Sequence, residues 1–188
     1  MKDSLFIKLF VILPGLFILA GALAVYAGTC DEKADIYEDY VPQIPANAMN
    51  SRTLKLDVTS YAGFIKVPGR DKNGGYHSHM FYWFFESRNS KLAAEDSKKE
   101  IPLLIWINGG PGASSAAGLM QENGPVSLLA GDTGTVVNNP YGWNEKMHVI
   151  YWDNPVWAGY SYSVPKDHYA GSEKELSRQF YHALQGFF

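Results

Sequence analysis

Residues 103–115 read Leu-Leu-Ile-Trp-Ile-Asn-Gly-Gly-Pro-Gly-Ala-Ser-Ser, an unbroken apolar run that passes straight into a glycine-rich loop. An apolar run without alternation marks a strand buried on both faces, as in sheets that helices cover on both sides. Ser114-Ser115 then opens a short helix that Asn123-Gly124-Pro125 stops. A second strand-loop-helix unit follows. His148-Val149-Ile150-Tyr151-Trp152 is its expected strand, and Ser172 with Glu175 three residues on forms a capping box at its helix start. In that helix Leu176, Phe180, Leu184 and Phe187 recur about every four residues and make one apolar face. Upstream, Ser60–Val67, Met80–Glu86 and Pro102–Ile107 read as strands, with a Gly- and Asn-rich hairpin connection over 68–75. Met80–Phe85 does not alternate either, which argues for burial on both faces. An antiparallel start followed by strand-helix alternation predicts an α/β fold with a mixed sheet flanked by helices.

The chain has 188 residues, 46% of them hydrophobic, which is material for one core and not for two full domains. Its net charge of −3, with acids and bases interleaved as in Glu95-Asp96-Ser97-Lys98-Lys99-Glu100, argues against nucleic acid as a partner. Lys2 and Lys8 precede an apolar stretch from Leu9 to Ala27, and Val25-Tyr26-Ala27 offers small residues where a signal peptidase reads. Residues 1–27 are therefore expected to be a cleaved signal peptide, with an uncleaved membrane anchor as the alternative. Residues 28–59 read as an extended polar leader with Pro42 and Pro45, and 60–188 as the folded part. Cys30 is the only cysteine, so no disulfide closes within the chain, and no Asn-x-Ser/Thr sequon occurs. His77 and His79 have a metal-like spacing but no third ligand, and solvent-facing turn positions are expected for both. The reading calls for no metal and no cofactor.

The loop Asn108-Gly109-Gly110-Pro111-Gly112 lets bare backbone N–H groups face a ligand after a buried strand, an arrangement that binds negative charge. A phosphate loop and a plain tight turn compete with that use. The spacing is not that of a Walker A loop, and no Lys follows the glycines.

The surrounding segments discriminate. Phe81-Tyr82-Trp83-Phe84-Phe85-Glu86-Ser87, the run 103–115, Glu122-Asn123-Gly124-Pro125, Asn139-Pro140-Tyr141-Gly142-Trp143-Asn144, and Tyr151-Trp152-Asp153-Asn154-Pro155 through Ser163 match a family pattern in order and spacing. From about Tyr61 onward the chain resembles the N-terminal portion of the serine carboxypeptidases. The resemblance implies an α/β-hydrolase fold and a Ser-Asp-His triad that removes C-terminal residues from peptides through an acyl-enzyme. Gly110 matches the oxyanion donor. Asn108 and the Gly109 N–H match the groups that hold the substrate's terminal carboxylate. Glu122 matches an acid that shares a proton with a second Glu placed before the nucleophile.

The family's Gly-Glu-Ser-Tyr-Ala-Gly nucleophile elbow does not occur in these residues, so the triad is expected beyond Phe188 and the segment alone is expected to be inactive. Gly159-Tyr160-Ser161-Tyr162-Ser163 superficially resembles an elbow but ends in Ser, and Ser161 is not nominated. Asp153 with His168 or His182 has no supporting spacing either, and surface or structural roles are expected. Ala113 stands where the family usually has Cys, Asn154 where it has Gln, and Trp157 where it has Gly. If that glycine takes positive φ, Trp157 is strained or its loop is remodelled. Peptide C-termini are the expected substrates and the secretory pathway, secreted or lysosomal/vacuolar, the expected location. A carboxypeptidase-like acyltransferase and a non-catalytic scaffold or truncated product are the rival functions.

Overall fold

The computed structural model describes residues 10–12, 36–40, 43–47, 52–69, 76–89, 101–129, 134–164 and 170–188. Among the described residues eleven strands follow one another: β1 (Phe10–Ile12), β2 (Ile36–Tyr40), β3 (Gln43–Asn47), β4 (Arg52–Lys55), β5 (Ser60–Pro68), β6 (Tyr76–Phe85), β7 (Leu103–Trp106), β8 (Val126–Leu128), β9 (Val136–Asn138), β10 (His148–Trp152) and β11 (Tyr162–Ser163). Seven of these form one sheet in the order β1-β7-β10-β6-β5-β2, with β11 added beside β6. The β5–β6 and β6–β10 pairs are antiparallel, whereas β10–β7 and β7–β1 are parallel. The mixed sheet expected from the sequence is thus present, with its parallel part in the strands that precede the two loops of interest.

The strand expectations hold to within a few residues, β6 being the exception: it begins at Tyr76, so His77 and His79 lie on a strand and not in a solvent-facing turn. His79 is half-buried and its ring stacks on Tyr162 with centroids 4.5 Å apart. Among the described residues no group of three potential ligands is placed to hold a metal. In the stretch read as an extended leader, Ile36–Tyr40 pairs antiparallel with β5, and Gln43–Asn47 pairs with Arg52–Lys55. The stretch read as a targeting segment lies outside the described residues except for Phe10–Ile12, which pairs in parallel with Leu104–Trp106. No helix among the described residues is long and apolar enough to cross a membrane.

Two clusters fill the two faces of the sheet. On one, Leu104, Trp106, Val149, Tyr151 and Phe85 pack with Leu119 and Val126 beneath the short helix α1 (Ala116–Gly118) and the π-helical turn Leu119–Asn123. On the other, Ile65, Met80, Tyr82, Ile105, Ile150 and Trp152 pack under α2 (Glu173–Phe187) through Phe180, Ala183, Leu184 and Phe187. Trp152 is fully buried and meets Phe180 edge to face at 5.4 Å, a contact that adds about 1 kcal/mol to its area burial. The α2 capping box forms with one shift: Ser172 Oγ accepts from Glu175 N–H, while the Glu175 carboxylate reaches back to Gly171 N–H. The loops at the other end are clipped by Arg88, which pairs with Asp57 at 3.1 Å and Glu145 at 2.7 Å and also donates to the Pro125 carbonyl.

Candidate active site

The C-terminal ends of neighbouring parallel strands are where loops converge in α/β sheets. Here β7 runs out through Ile107 into Asn108–Gly112, and β10 runs out into Asp153–Ser161. Gly110 and Gly112 stand at φ 131° and 106°, a region that admits glycine and strains other residues. In the second loop the positive-φ positions are Gly159 at 52° and Trp157 at 81°, the one non-glycine of this kind among the described residues. Of the two outcomes expected for Trp157 the structure has strain: the large residue takes the left-handed backbone, at a cost of about 1–3 kcal/mol.

One buried carboxylate joins the two loops. Asp153 is 1% exposed, and its Oδ1 accepts from Ser114 Oγ–H and Ser115 N–H, each at 2.8 Å, while Oδ2 accepts from Tyr160 N–H at 2.9 Å. Ser115 Oγ donates to the Trp152 carbonyl at 2.6 Å and accepts from Asn108 N–H at 3.1 Å. The start of the glycine loop is thereby fixed to the end of β10. Gly159 is pressed against this joint, since a Cβ there would come within 2.0 Å of Asp153 Oδ2. Asp153 therefore has a structural role, as expected, and it is not a triad member in these contacts. Ser161 is buried too: its Oγ donates to the Asp153 carbonyl at 2.6 Å and accepts from Phe81 N–H at 2.8 Å. A hydroxyl committed in this way is not a nucleophile. His168 lies outside the described residues. His182 sits half-buried on α2 beside Tyr181. Burial, with the charge of Arg178 adding to it, holds its imidazole below the ordinary range.

The donors nominated from the sequence are left open by these bonds. Gly110 is exposed and Gly109 partly so, and among the described residues neither N–H has an acceptor. Asn108 is held differently. Trp106 Nε1–H donates to Asn108 Oδ1 at 2.6 Å, and since an indole nitrogen is a donor only, its partner must be the amide oxygen. The Asn108 NH2 is then the free end, with no acceptor among the described residues. Trp106 was not singled out as a site residue, although the signal existed: positions 106 and 108 lie two apart in extended chain and share a face. The indole is 4% exposed and packs edge to face against Trp143 at 5.7 Å.

Glu122 lies in the π-helical turn, exposed to solvent, and no hydrogen bond joins it to Asn108 or the glycine loop among the described residues. Its neighbour Asn123 is buried and accepts from the Tyr151 hydroxyl at 2.9 Å. Burial, with the Glu122 charge as a second cause, pushes the Tyr151 phenol far above its ordinary range, so it stays a hydrogen-bond donor. A π-helical turn inside a helix often marks a functional site.

A mixed sheet with a glycine-rich loop leaving a parallel strand, backed by helices on both faces, places the molecule among the α/β-hydrolases. Kex1(delta)p, a prohormone-processing carboxypeptidase from Saccharomyces cerevisiae, is similar in structure with a TM-score of 0.57 and 26% identity, over 70% of this chain and 28% of that one. The serine carboxypeptidase pattern matches residues 50–188. The chain belongs to the serine carboxypeptidase family. It is 42% identical over 112 residues to carboxypeptidase S1 homolog A of Arthroderma otae, which is 57% of this chain and 16% of the relative. To carboxypeptidase Y homolog A of Pyricularia oryzae it is 41% identical, over 71% of this chain and 21% of the relative. To serine carboxypeptidase-like 49 of Arabidopsis thaliana it is 38% identical, over 70% of this chain and 23% of the relative. The chain thus spans less than a quarter of the length of these curated relatives.

Proposed function

We propose that the whole protein is a serine-type carboxypeptidase that hydrolyses C-terminal residues from peptides, with the Ser-Asp-His triad supplied by sequence beyond these 188 residues. The observation that carries this reading is the open donor set at the end of β7, within a chain of this family: the N–H groups of Gly109 and Gly110 and the amide NH2 of Asn108. In the reaction, Gly110 N–H faces the carbonyl oxygen as it gains negative charge, where one such donor is worth about 3 kcal/mol in the transition state. Asn108 Nδ2 and Gly109 N–H grip the terminal carboxylate and set the last peptide bond over the nucleophile. Glu122 joins a second Glu from outside the chain, and the proton they share is donated to that carboxylate. An acyltransferase has no peptide carboxylate to hold, so the free Asn108 donor favours the peptidase. Entry into the secretory pathway through residues 1–27 completes the reading.

The test is hydrolysis by the full-length protein of a peptide and of its C-terminally amidated twin. Preference for the free acid, together with labelling by a fluorophosphonate, is expected; equal turnover of both with transfer to an alcohol identifies the acyltransferase. The shared proton has its own signature. KM for the free acid rises from acidic to neutral pH, and a flat profile, or one unchanged in Glu122→Gln, removes Glu122 from the site.

A further inference from the structure

Gly118 is the last residue of α1, and it is buried against the Trp106–Asn108 pair. A Cβ built there would stand 2.2 Å from Trp106 Nε1, 2.7 Å from Asn108 Oδ1 and 2.8 Å from Trp106 Cε2. Those are the two atoms of the 2.6 Å hydrogen bond and the ring carbon beside it. Neither partner is a flexible end that moves aside cheaply. Trp106 is a core residue of β7, closed in by Leu119 of the following turn and by the Trp143 ring, and Asn108 is tied through its backbone N–H to Ser115 Oγ. Gly118 has no positive φ to explain it: its backbone is right-handed helical, at φ −62° and ψ −40°. Glycine in a helix costs up to about 1 kcal/mol against alanine, so what singles this position out is the space it leaves open.

We propose that Gly118 is a positioning residue for carboxylate recognition: the missing side chain lets the Trp106 indole reach the Asn108 amide oxygen and so fixes which end of that amide faces the ligand. With the hydrogen bond in place, Oδ1 is occupied and the NH2 is presented. With a methyl group between them, the indole is displaced and the amide loses what holds it. A flipped amide offers an oxygen to an anionic carboxylate, which converts attraction into repulsion. This inference rests on the reading of Asn108 as a carboxylate ligand, and it deepens that reading by naming the residue that sets the amide.

The experiment uses the full-length protein and three single variants, Gly118→Ala, Trp106→Phe and Asn108→Ala, with a free-acid peptide and its amidated twin. Gly118→Ala is expected to raise KM for the free acid about tenfold or more, the scale of one hydrogen bond to a charged group. Turnover number and KM for the amide change far less. In ¹⁵N-labelled protein the Trp106 indole N–H resonance, identified by its loss in Trp106→Phe, is expected to move upfield in Gly118→Ala. If Gly118→Ala does not fold, Trp106→Phe/Gly118→Ala removes the blocked nitrogen, and its KM is expected to be no higher than that of Trp106→Phe alone. An unmoved indole resonance, equal losses on both peptides, or additive losses in the double variant overturn the proposal. Failure of the underlying reading looks different: Asn108→Ala then leaves the free-acid KM unchanged, while the indole resonance still reports that Gly118 sets the amide.

Discussion

The two loops that leave β7 and β10 are neighbours, each with a cis X-Pro bond and two positive-φ residues, yet they are held in opposite ways. In Asn108–Gly112 the positive φ values fall on glycines, and the N–H groups of Gly109 and Gly110 have no acceptor among the described residues. In Asp153–Ser161 the backbone is closed on itself: Trp157 N–H donates to Ser161 O, Ala158 N–H to Pro155 O, Ser161 N–H to Ala158 O and Tyr160 N–H to Asp153. The first loop can leave donors open for a ligand because the second, through the Asp153 carboxylate, supplies its anchor. A self-satisfied loop also tolerates a residue in an unfavourable conformation, since its hydrogen bonds over-determine the backbone. That accounts for a tryptophan at φ 81° where glycine would sit without strain.

Removing the joint is the largest way to break this contrast. Asp153→Ala orphans the buried Ser115 N–H, a loss of about 1–3 kcal/mol, takes the partner from the less buried Tyr160 N–H and Ser114 hydroxyl, and leaves a cavity at the joint. A loss of about 3–5 kcal/mol in chemical denaturation of the full-length protein is expected. Asp153→Asn, which keeps one acceptor oxygen, loses less. A loss under about 1 kcal/mol in the Ala variant means that the loops are not anchored by this carboxylate.

Next comes the open loop itself. Gly110→Ala places a side chain at φ 131°, with its Cβ 3.2 Å from Gly112 N and 3.3 Å from Ala113 N. Turnover of a peptide substrate is expected to fall by about 10²-fold, the usual effect of misplacing an oxyanion donor, with KM changed much less. Equal turnover in the variant removes Gly110 from that role.

The strained position sharpens the comparison from the other side. Trp157→Gly relieves about 1–3 kcal/mol of backbone strain and gives back about 1 kcal/mol through the looser unfolded chain. A net gain of about 1 kcal/mol in unfolding free energy is expected, because the indole is 42% exposed and gives up little burial. Trp157→Ala keeps the strain and gains nothing.

The smallest effect lies at the opposite end of β10, where His148 Nδ1 accepts from Ser87 N–H at 3.1 Å. Burial holds this imidazole below its ordinary value near 6.5, and the charge of Glu86 only partly opposes it. The unfolded chain therefore binds the proton more readily, and stability is complete above pH 6.5 and declines as pH falls below that value toward the folded-state pKa. His148→Gln, which keeps an acceptor, is expected to flatten that decline slightly without touching either loop. A decline that persists unaltered in the variant assigns it to other groups, His79 and His182 among them.

What the sequence made legible follows from periodicity and local chemistry. Leu103–Trp106 and His148–Trp152 were readable because unbroken apolar runs bounded by glycine and proline have one explanation, and α2 because its apolar face and its Ser172 cap agree. The pairing of Ile36–Tyr40 with β5 was hidden, since a polar stretch with prolines carries no partner information until its neighbour is placed. The π-helical turn at Leu119–Asn123 was hidden for the same reason, as one extra residue in a helix leaves no compositional mark. Of the site, Asn108, Gly109 and Gly110 were visible as motif residues, whereas Gly118 became interpretable only once a distance to Trp106 was known. Asp153 was read as structural, but not as the joint between two loops, because that role depends on side chains brought together from separate strand ends.

The parallel pairing of β7 with β10 has a bearing on the order of assembly. The β5–β6 pair is a hairpin between consecutive strands and closes early, at small cost in loop entropy. The parallel β7–β10 contact is joined through a crossover that holds α1, β8 and β9, and pairing of that kind is the slower, higher-contact-order part of folding. In a refolding experiment followed by hydrogen exchange, amides of β5 and β6 should therefore gain protection first, and those shared by β7 and β10 later. Until then the edges of both strands are bare and ready to accept another chain, so the interval before they pair is when aggregation competes most strongly with folding.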